Sequence, residues 1–350
     1  MKAALTVKQM NDFERDGFLV APNVIDSDTM EAARHDFYAR VQDLSRRYGL
    51  PPADNFDEAV SQLIVGAPSA YQHLDISLPA VEDMSSLVGE WRQLFGDNWR
   101  QEAGVFATDA VFALISHPNI IAIVRQLLGA EVECSPVQHT RIKPPQRLLP
   151  ATLADDSNVS RTLWHQDEAV VHEGAYGVDI LTVWLAMTEA TPQNGCMYAV
   201  AGSHRAAAVN PSEFGLTTHC PGKKHVSENY VPDIYIPDEA IDRDNLVPLT
   251  ARAGDVVLLH RRTVHGAGEN TSAGIRWSFD LRYQPAGTPS GRECFPSFLV
   301  ASEARPQDCI RSTAAYRRLW LAARDDIISG DVTAVFNTRW NKYQSAPLCA

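Results

Sequence analysis

From about residue 131 to residue 285 the chain is a succession of short β-rich runs set between turn residues: 131–143, 179–188, 195–200, 247–250, 255–260 and 275–284. No long helix fits into that texture. Many short strands following a helical opening predict a mainly β fold, a sandwich or jelly roll with helices packed outside it. The opening reads as a short helix from residue 9, a glycine stop at Gly17 and a short strand. A second helix is expected from Asp28, because Met30, Ala33, Phe37, Val41 and Leu44 fall on one face at helical spacing. Residues 50–80 read as mixed helix and loop. Helices are expected over 82–99, with Trp91, Leu94 and Trp99, and over 118–129, ending near Gly129. The stretch 205–246 is too rich in Pro, Asp, Glu and Asn, and too long, for an ordinary loop, and reads as a lid-like insertion. Another helix is expected around 312–329. The organisation is thus one domain over 1–350: a helical part to about 130, a β core over about 131–290, and a helical extension over about 300–350.

A net charge of −12 repels phosphate backbones, so nucleic acid is not an expected partner. No apolar run reaches the length of a membrane span, and the opening residues lack a signal-peptide core, so a cytoplasmic protein is expected. The six cysteines are scattered without a C-x-x-C pair. Reduced, mostly buried thiols are expected rather than a zinc cluster or a disulfide framework.

Chemistry concentrates in Leu163-Trp164-His165-Gln166-Asp167. On a strand, alternate side chains share a face, so His165 and Asp167 present an imidazole nitrogen and a carboxylate oxygen side by side. The third ligand must come from another strand. His265, in Val264-His265-Gly266-Ala267-Gly268, is favoured by the residues after it, and His260 is its main competitor. Two histidines and one carboxylate on one face of a metal form the facial triad of non-haem Fe(II) oxygenases, with room for a bidentate 2-oxo acid and O₂. H-x-D recurs by chance, and most of the eleven histidines, among them His35, His73, His117 and His225, are expected to be structural or solvated.

After His265 comes a turn-rich stretch, and then a strand on which Arg276, Ser278, Asp280 and Arg282 share one face while Ile275, Trp277, Phe279 and Leu281 share the other. A polar face on a central strand is costly unless something occupies it. The planar fork of Arg276 suits the distal carboxylate of 2-oxoglutarate, with Ser278 as a helper. The competing reading is a solvent-facing sheet surface carrying ion pairs.

Together these residues resemble the phytanoyl-CoA dioxygenase family of Fe(II)/2-oxoglutarate oxygenases. The resemblance runs from Asp16-Gly17-Phe18-Leu19-Val20 to about residue 285. It is carried by Lys143-Pro144-Pro145, Trp164-His165-Gln166-Asp167, Val183-Trp184-Leu185-Ala186-Met187, Asn194-Gly195-Cys196-Met197, Gly202-Ser203-His204-Arg205, Gly254-Asp255, His265 and Arg276. It implies a double-stranded β-helix, iron on His165, Asp167 and His265, and a 2-oxoglutarate salt bridge to Arg276. It also implies Trp184 beside the co-substrate and Gln138 as a polar co-substrate contact, with His139 or Arg141 as alternatives for that place. Family members that halogenate replace the carboxylate ligand with a small residue, so Asp167 disfavours halogenation here.

The substrate implied is a small molecule oxidised at an unactivated C–H bond, by hydroxylation, ring closure or desaturation. Substrate contacts are expected from Glu168, His172, Tyr176, Tyr230 and Arg282. Only Lys223-Lys224 offers a basic cluster for an acyl-CoA phosphate, so a polar or sugar-containing natural product is favoured over an acyl-CoA or carrier-bound acyl group. Two further readings stay open: a jelly-roll enzyme using a metal non-oxidatively, and a silent binding protein on the same scaffold.

Overall fold

The computed structural model describes residues 4–67, 76–77, 105–106, 108–151, 153–154, 159–171, 173–205, 216–226, 229–292, 295–329 and 339–349. The helix expected over 82–99 lies outside the described residues. The chain opens with α1 (Val7–Asp16), whose N-terminus is closed by a Thr6/Gln9 capping box and whose C-cap is Gly17 in the left-handed region, φ 82°. Strand β1 (Phe18–Ala21) follows directly. Next is α2 (Ser27–Arg47), capped by the Asp26 side chain accepting from the Thr29 N–H, and it buries the Met30, Ala33, Phe37, Val41 and Leu44 face that the sequence spacing marks. Helix α3 (Phe56–Gly66) packs beside it. The two-residue strands β2 (Ile76–Ser77) and β3 (Val105–Phe106) pair in parallel.

Helices α4 (Asp109–Ile115) and α5 (Pro118–Leu128) come next. The stretch Asp109–Leu128 is long and apolar enough to cross a membrane by composition, with a mean hydropathy of 1.5, contrary to the sequence expectation. The chain interrupts it at Ser116 and His117, and Val111, Phe112, Leu114, Ile115, Ile120, Ile123 and Val124 are all buried in the main core.

The β core contains β4 (Val132–Cys134), β5 (His139–Lys143), β6 (Thr162–His165), β7 (Leu181–Ala186), β8 (Met197–Val200), β9 (Cys220–Val226), β10 (Asn229–Tyr235), β11 (Leu246–Leu249), β12 (Val256–His260), β13 (His265–Ala267), β14 (Arg276–Pro285) and β15 (Phe298–Ala301). One antiparallel sheet runs β1-β12-β7-β14-β4-β15, with β5 also pairing with β14. The second runs β11-β8-β13-β6. This is the antiparallel, two-sheet jelly roll expected. Within the insertion over 205–246, the described residues form the antiparallel hairpin β9–β10, joined to β6 where the Ile236 N–H donates to the Trp164 carbonyl at 2.7 Å. Helix α6 (Thr313–Ser329) sends Tyr316 and Trp320 into the core.

Strand β14 decides where the site lies. Helices α2 and α3 cover the outside of the larger sheet, and Trp277 meets Phe37 and Phe56 there at ring-centroid distances of 4.7 and 5.0 Å. Truncating a buried tryptophan typically costs ~3–5 kcal/mol, so this contact strongly fixes the phase of the strand. With Ile275, Trp277, Phe279 and Leu281 in that outer core, the alternate residues turn between the sheets. There Trp184, Ala186, Met197, Ala199, Val257, Leu259 and Ala267 form a second, smaller core.

One expectation about the cysteines is overturned. Cys220 and Cys349 form a disulfide across a sequence separation of 129, while Cys134, Cys196 and Cys309 are buried thiols. The pairing joins the start of β9 to a distant helical turn, a juxtaposition with no local sequence signature.

Candidate active site

His165 ends β6 and His265 opens β13, and the two are direct partners across that strand pair. Gly266 permits the close approach: a Cβ there would stand 3.0 Å from the Thr162 carbonyl oxygen and from the Trp164 ring. Asp167 lies just past the strand, at the start of a 3₁₀ turn (Asp167–Val170), and not on β6 itself. It still returns to the same side. The ligand atoms of His165, Asp167 and His265 all lie within 4.8 Å of one another. Nε2 of His165 is 3.7 Å and Nε2 of His265 4.0 Å from Asp167 Oδ1.

Both imidazoles are held in one tautomer. Nδ1–H of His165 donates to the Leu163 carbonyl at 2.8 Å, and Nδ1–H of His265 to the Thr263 carbonyl at 2.9 Å. A carbonyl can only accept, so both Nε2 lone pairs are left facing Asp167, as metal ligands require. Asp167 is buried. Its Oδ2 accepts from the Thr182 hydroxyl at 2.5 Å and its Oδ1 from Arg282 Nη2 at 3.2 Å. Burial alone would raise its pKa, but the Arg282 guanidinium, the two imidazoles and the Thr182 hydroxyl override that and hold the carboxyl well below its ordinary range. Burial, reinforced by neighbouring His265, pushes the His165 imidazole down to about 3. Asp167 is therefore a carboxylate and His165 a neutral imidazole, and with the Nε2 of His265 this donor set fits a borderline divalent metal such as Fe(II) with one face left open. His260, the competitor, is elsewhere: its ring packs on that of His204 at 5.0 Å.

A cavity extends from the triad along β14. It is lined by Arg141, Thr162, Thr182, Trp184, Met197, Leu259, Ala267, Arg276, Asp280 and Arg282, together with His165, His265 and Gly266. The polar face of β14 is buried, so the reading of a solvent-facing surface does not hold. Arg276 is 1% exposed, donates from Nη1 to the Ser278 hydroxyl at 2.8 Å and lies 5.6 Å from the Trp184 ring centroid. Arg141 pairs with Asp280 at 2.7 Å. Lys143, opposite Arg276 in register, is fully buried and donates to the Ser160 and Gly268 carbonyls. Burial, with the Arg276 and Arg141 charges added, drives its ammonium well below the usual range. This end of the cavity is suited to an anion.

Several expected contacts sit differently. Gln138, just before β5, is absent from the cavity lining; its amide donates to Cys134 Sγ and the Ser135 carbonyl, and on β5 it is Arg141 that lines the cavity. Glu168 is 2% exposed and binds Arg261 at 2.6 Å, Arg262 at 2.7 Å and the Gly177 N–H at 2.7 Å, which makes it a staple of the turn and not a substrate contact. Arg282 lines the cavity, but its partners are Asp167 and the Val137 carbonyl. Tyr176 packs on Val171, Ala175 and Ile180. Tyr230 falls on β10, with its side chain outside the described residues, and His172 lies outside them altogether. Thr182 and Asp280 carry more of the site than the sequence reading assigned to them. The signal for Thr182 was a hydroxyl sharing the inward face of an apolar strand with Trp184.

Comparison with known proteins identifies the family. The family model for phytanoyl-CoA dioxygenase (PhyH) matches residues 13–278, well over half of the chain. Phytanoyl-CoA dioxygenase domain-containing protein 1 of Rattus norvegicus is 28% identical over 189 residues, which cover 52% of this chain and 56% of that protein. The peroxisomal phytanoyl-CoA dioxygenase of the same organism is 22% identical over 284 residues, covering 80% of this chain and 68% of that one. Among solved structures, the non-heme monooxygenase ThoJ in its apo form shares the fold, with a TM-score of 0.51, 16% identity and coverage of 91% of this chain and 97% of its own. On a family match that spans most of its length, the chain belongs to the phytanoyl-CoA dioxygenase family of non-haem iron, 2-oxoglutarate-dependent dioxygenases.

Proposed function

We propose that the protein oxidises an unactivated C–H bond of a small, polar molecule, by hydroxylation, ring closure or desaturation, in the tailoring of a natural product such as a sugar-containing compound. The observation that carries the reaction class is that His165 and His265, whose ligand atoms lie within 4.8 Å of each other and of the Asp167 carboxylate, line one cavity together with Arg276. When bound, ferrous iron and 2-oxoglutarate supply the activation of O₂ that such an oxidation needs. The protein's own part is placement. His165, Asp167 and His265 hold the metal on one face. Arg276 receives the distal carboxylate of the co-substrate, with its fork oriented by Ser278 and Trp184. Met197, Leu259 and Ala267 form apolar wall that excludes water. The polar lining from Arg141, Thr162 and Asp280 supports a hydrogen-bonding substrate over a plain acyl chain. His172 and Tyr230 stand as substrate contacts within this proposal.

The test is succinate formation and O₂ uptake by anaerobically prepared protein given Fe(II), 2-oxoglutarate and ascorbate. Wild type should show slow turnover even without the true substrate. Asp167→Ala should abolish it, and Arg276→Ala should need roughly 10–150-fold more 2-oxoglutarate, from the loss of a charge-assisted pair of about 1.5–3 kcal/mol. Wild type without turnover, and without a 2-oxoglutarate-dependent change in the visible spectrum of the Fe(II) protein, would remove the co-substrate assignment.

A further inference from the structure

The turn that carries Asp167 is held from outside the cavity by a segment far along the chain. Residues Arg339–Tyr343 and Pro347–Cys349 form two short 3₁₀ turns. Trp340 is 1% exposed, and its indole N–H donates at 2.9 Å to the carbonyl of Ala169, inside the turn that Asp167 opens. It packs with Ala169 and Leu216 in a small buried cluster, and its ring lies 4.7 Å from that of His219. His219 is fully buried. Its Nδ1–H donates to the Thr217 carbonyl at 2.7 Å, which leaves Nε2 to accept the backbone N–H of Gln166 at 3.1 Å. Gln166 sits between the two ligands His165 and Asp167, and its side chain bridges the Thr217 N–H and the Arg262 carbonyl. Cys220, next to His219, is bonded to Cys349 at the far end of the segment that carries Trp340.

We infer that the segment 339–349 is a brace for the metal-binding turn, that Trp340 is a positioning residue for Asp167, and that the Cys220–Cys349 bond is the latch that keeps the brace closed. The physical basis is that a metal ligand whose orientation is freed binds more weakly, and supporting partners are worth about 10–100-fold in affinity. A segment this short, made of two 3₁₀ turns and no longer element, opens more readily by local unfolding than the sheets do unless it is tethered. The disulfide tethers it across a long loop, where the loss of a cross-link frees the most chain entropy. A dithiol opens the latch by thiol–disulfide exchange: two electrons and two protons convert the bond to the Cys220 and Cys349 thiols, and the reductant leaves as its cyclic disulfide. The inference rests on the triad being a metal site, and the test separates the two.

The experiment uses the full chain with Co(II) as probe, titrated anaerobically, with its visible ligand-field spectrum recorded. The redox state is set with a dithiol that is removed before metal is added, and is checked by intact mass after thiol alkylation. Oxidised wild type should bind Co(II). Reduced wild type, Cys349→Ser and Trp340→Phe should each bind about tenfold more weakly, with an altered spectrum. Lys342→Ala, an exposed change on the same segment, should match wild type. A merely structural role would lower the melting temperature and leave Co(II) affinity and spectrum unchanged. That pattern, with Trp340→Phe and the reduced protein within about twofold of wild type, would overturn the brace. Absence of the 220–349 bond in the oxidised protein would overturn the latch. Wild type binding Co(II) no better than Asp167→Ala would overturn the metal site itself, and the brace with it.

Discussion

Thr182→Val isolates one support of the metal site without altering its charge or shape. Thr182 is 2% exposed on β7, pairs with Arg282 across the sheet, and donates its hydroxyl to Asp167 Oδ2 at 2.5 Å. Valine has nearly the same volume, so no cavity is created; what is lost is one hydrogen bond to a buried carboxylate. Such a bond is worth about 1.5–3 kcal/mol, or roughly 10–150-fold in an equilibrium that depends on it. The bond also fixes which oxygen faces the imidazoles: with Oδ2 held by Thr182, Oδ1 is the atom near both Nε2 groups. Metal affinity, measured by anaerobic titration of the metal-free protein with Ni(II), should therefore fall about 10–100-fold. At saturating metal the apparent affinity for 2-oxoglutarate should stay within about threefold, because Arg276 binds the far end of that molecule through a different set of contacts. Equal Ni(II) affinity in the variant would refute the argument that Asp167 needs its hydroxyl partner. An equal loss in both affinities would refute the separation of the metal end from the arginine end.

Glu168→Gln should leave the concentration of 2-oxoglutarate or substrate needed for half-maximal rate unchanged while lowering the melting temperature, since Glu168 is a buried partner of Arg261 and Arg262 and breaking such a pair costs about 3–5 kcal/mol, less here because both arginines are partly exposed; a raised half-saturation with unchanged stability would return Glu168 to the substrate site. The metal-free protein should lose stability as pH falls below about 6.5, the ordinary histidine value. Burial depresses His165 to about 3 and His260 to about 4, so on the way down to pH 4 the unfolded chain takes up protons that these two folded imidazoles refuse. Below about 3.9 the depressed Asp167 carboxyl adds a loss of the same sign. Thermal melts between pH 8 and 4 check this, and a metal-free melting temperature that stays flat down to pH 4.5 would contradict it.

How far the site could be read from sequence depends on the range of the interactions that fix it. The face of β14 was legible because strand period is two and Ile275, Trp277, Phe279 and Leu281 name their own side. His165 and His265 were legible because they occupy places in a family pattern. Gln138 was not, and the reason is phase. Trp277 Nε1–H donates to the Thr140 hydroxyl at 2.9 Å and Ile142 lies in the outer core, so the even-numbered residues here face outward and Arg141 faces in. A shift of one residue reverses every side chain, and the pairing that sets it joins β5 to a strand far along the chain. Glu168 comes after a motif that reads as strand, yet the chain has already turned into a 3₁₀ segment there. The Cys220–Cys349 bond depends on two elements meeting in space and leaves no mark on the local sequence.

The three ligands differ in what holds them, and this makes Asp167 the point through which distant changes act. Each histidine is oriented by a bond from Nδ1 to a carbonyl just before it in its own chain segment, Leu163 for His165 and Thr263 for His265. That support is local and comes with the backbone path. Asp167 has no such anchor. It takes its hydroxyl partner from β7, its guanidinium from β14, and the position of its turn from His219 and Trp340. The desolvation cost of the buried carboxylate is offset only when all of these are assembled, so the ligand geometry is complete only when both sheets and the 339–349 segment have closed. Loss of any one partner leaves the histidines in place and moves the carboxylate. Weakened metal binding with an intact fold is thus the common signature expected of Thr182 and Trp340 variants, whereas Glu168 variants lose fold stability instead.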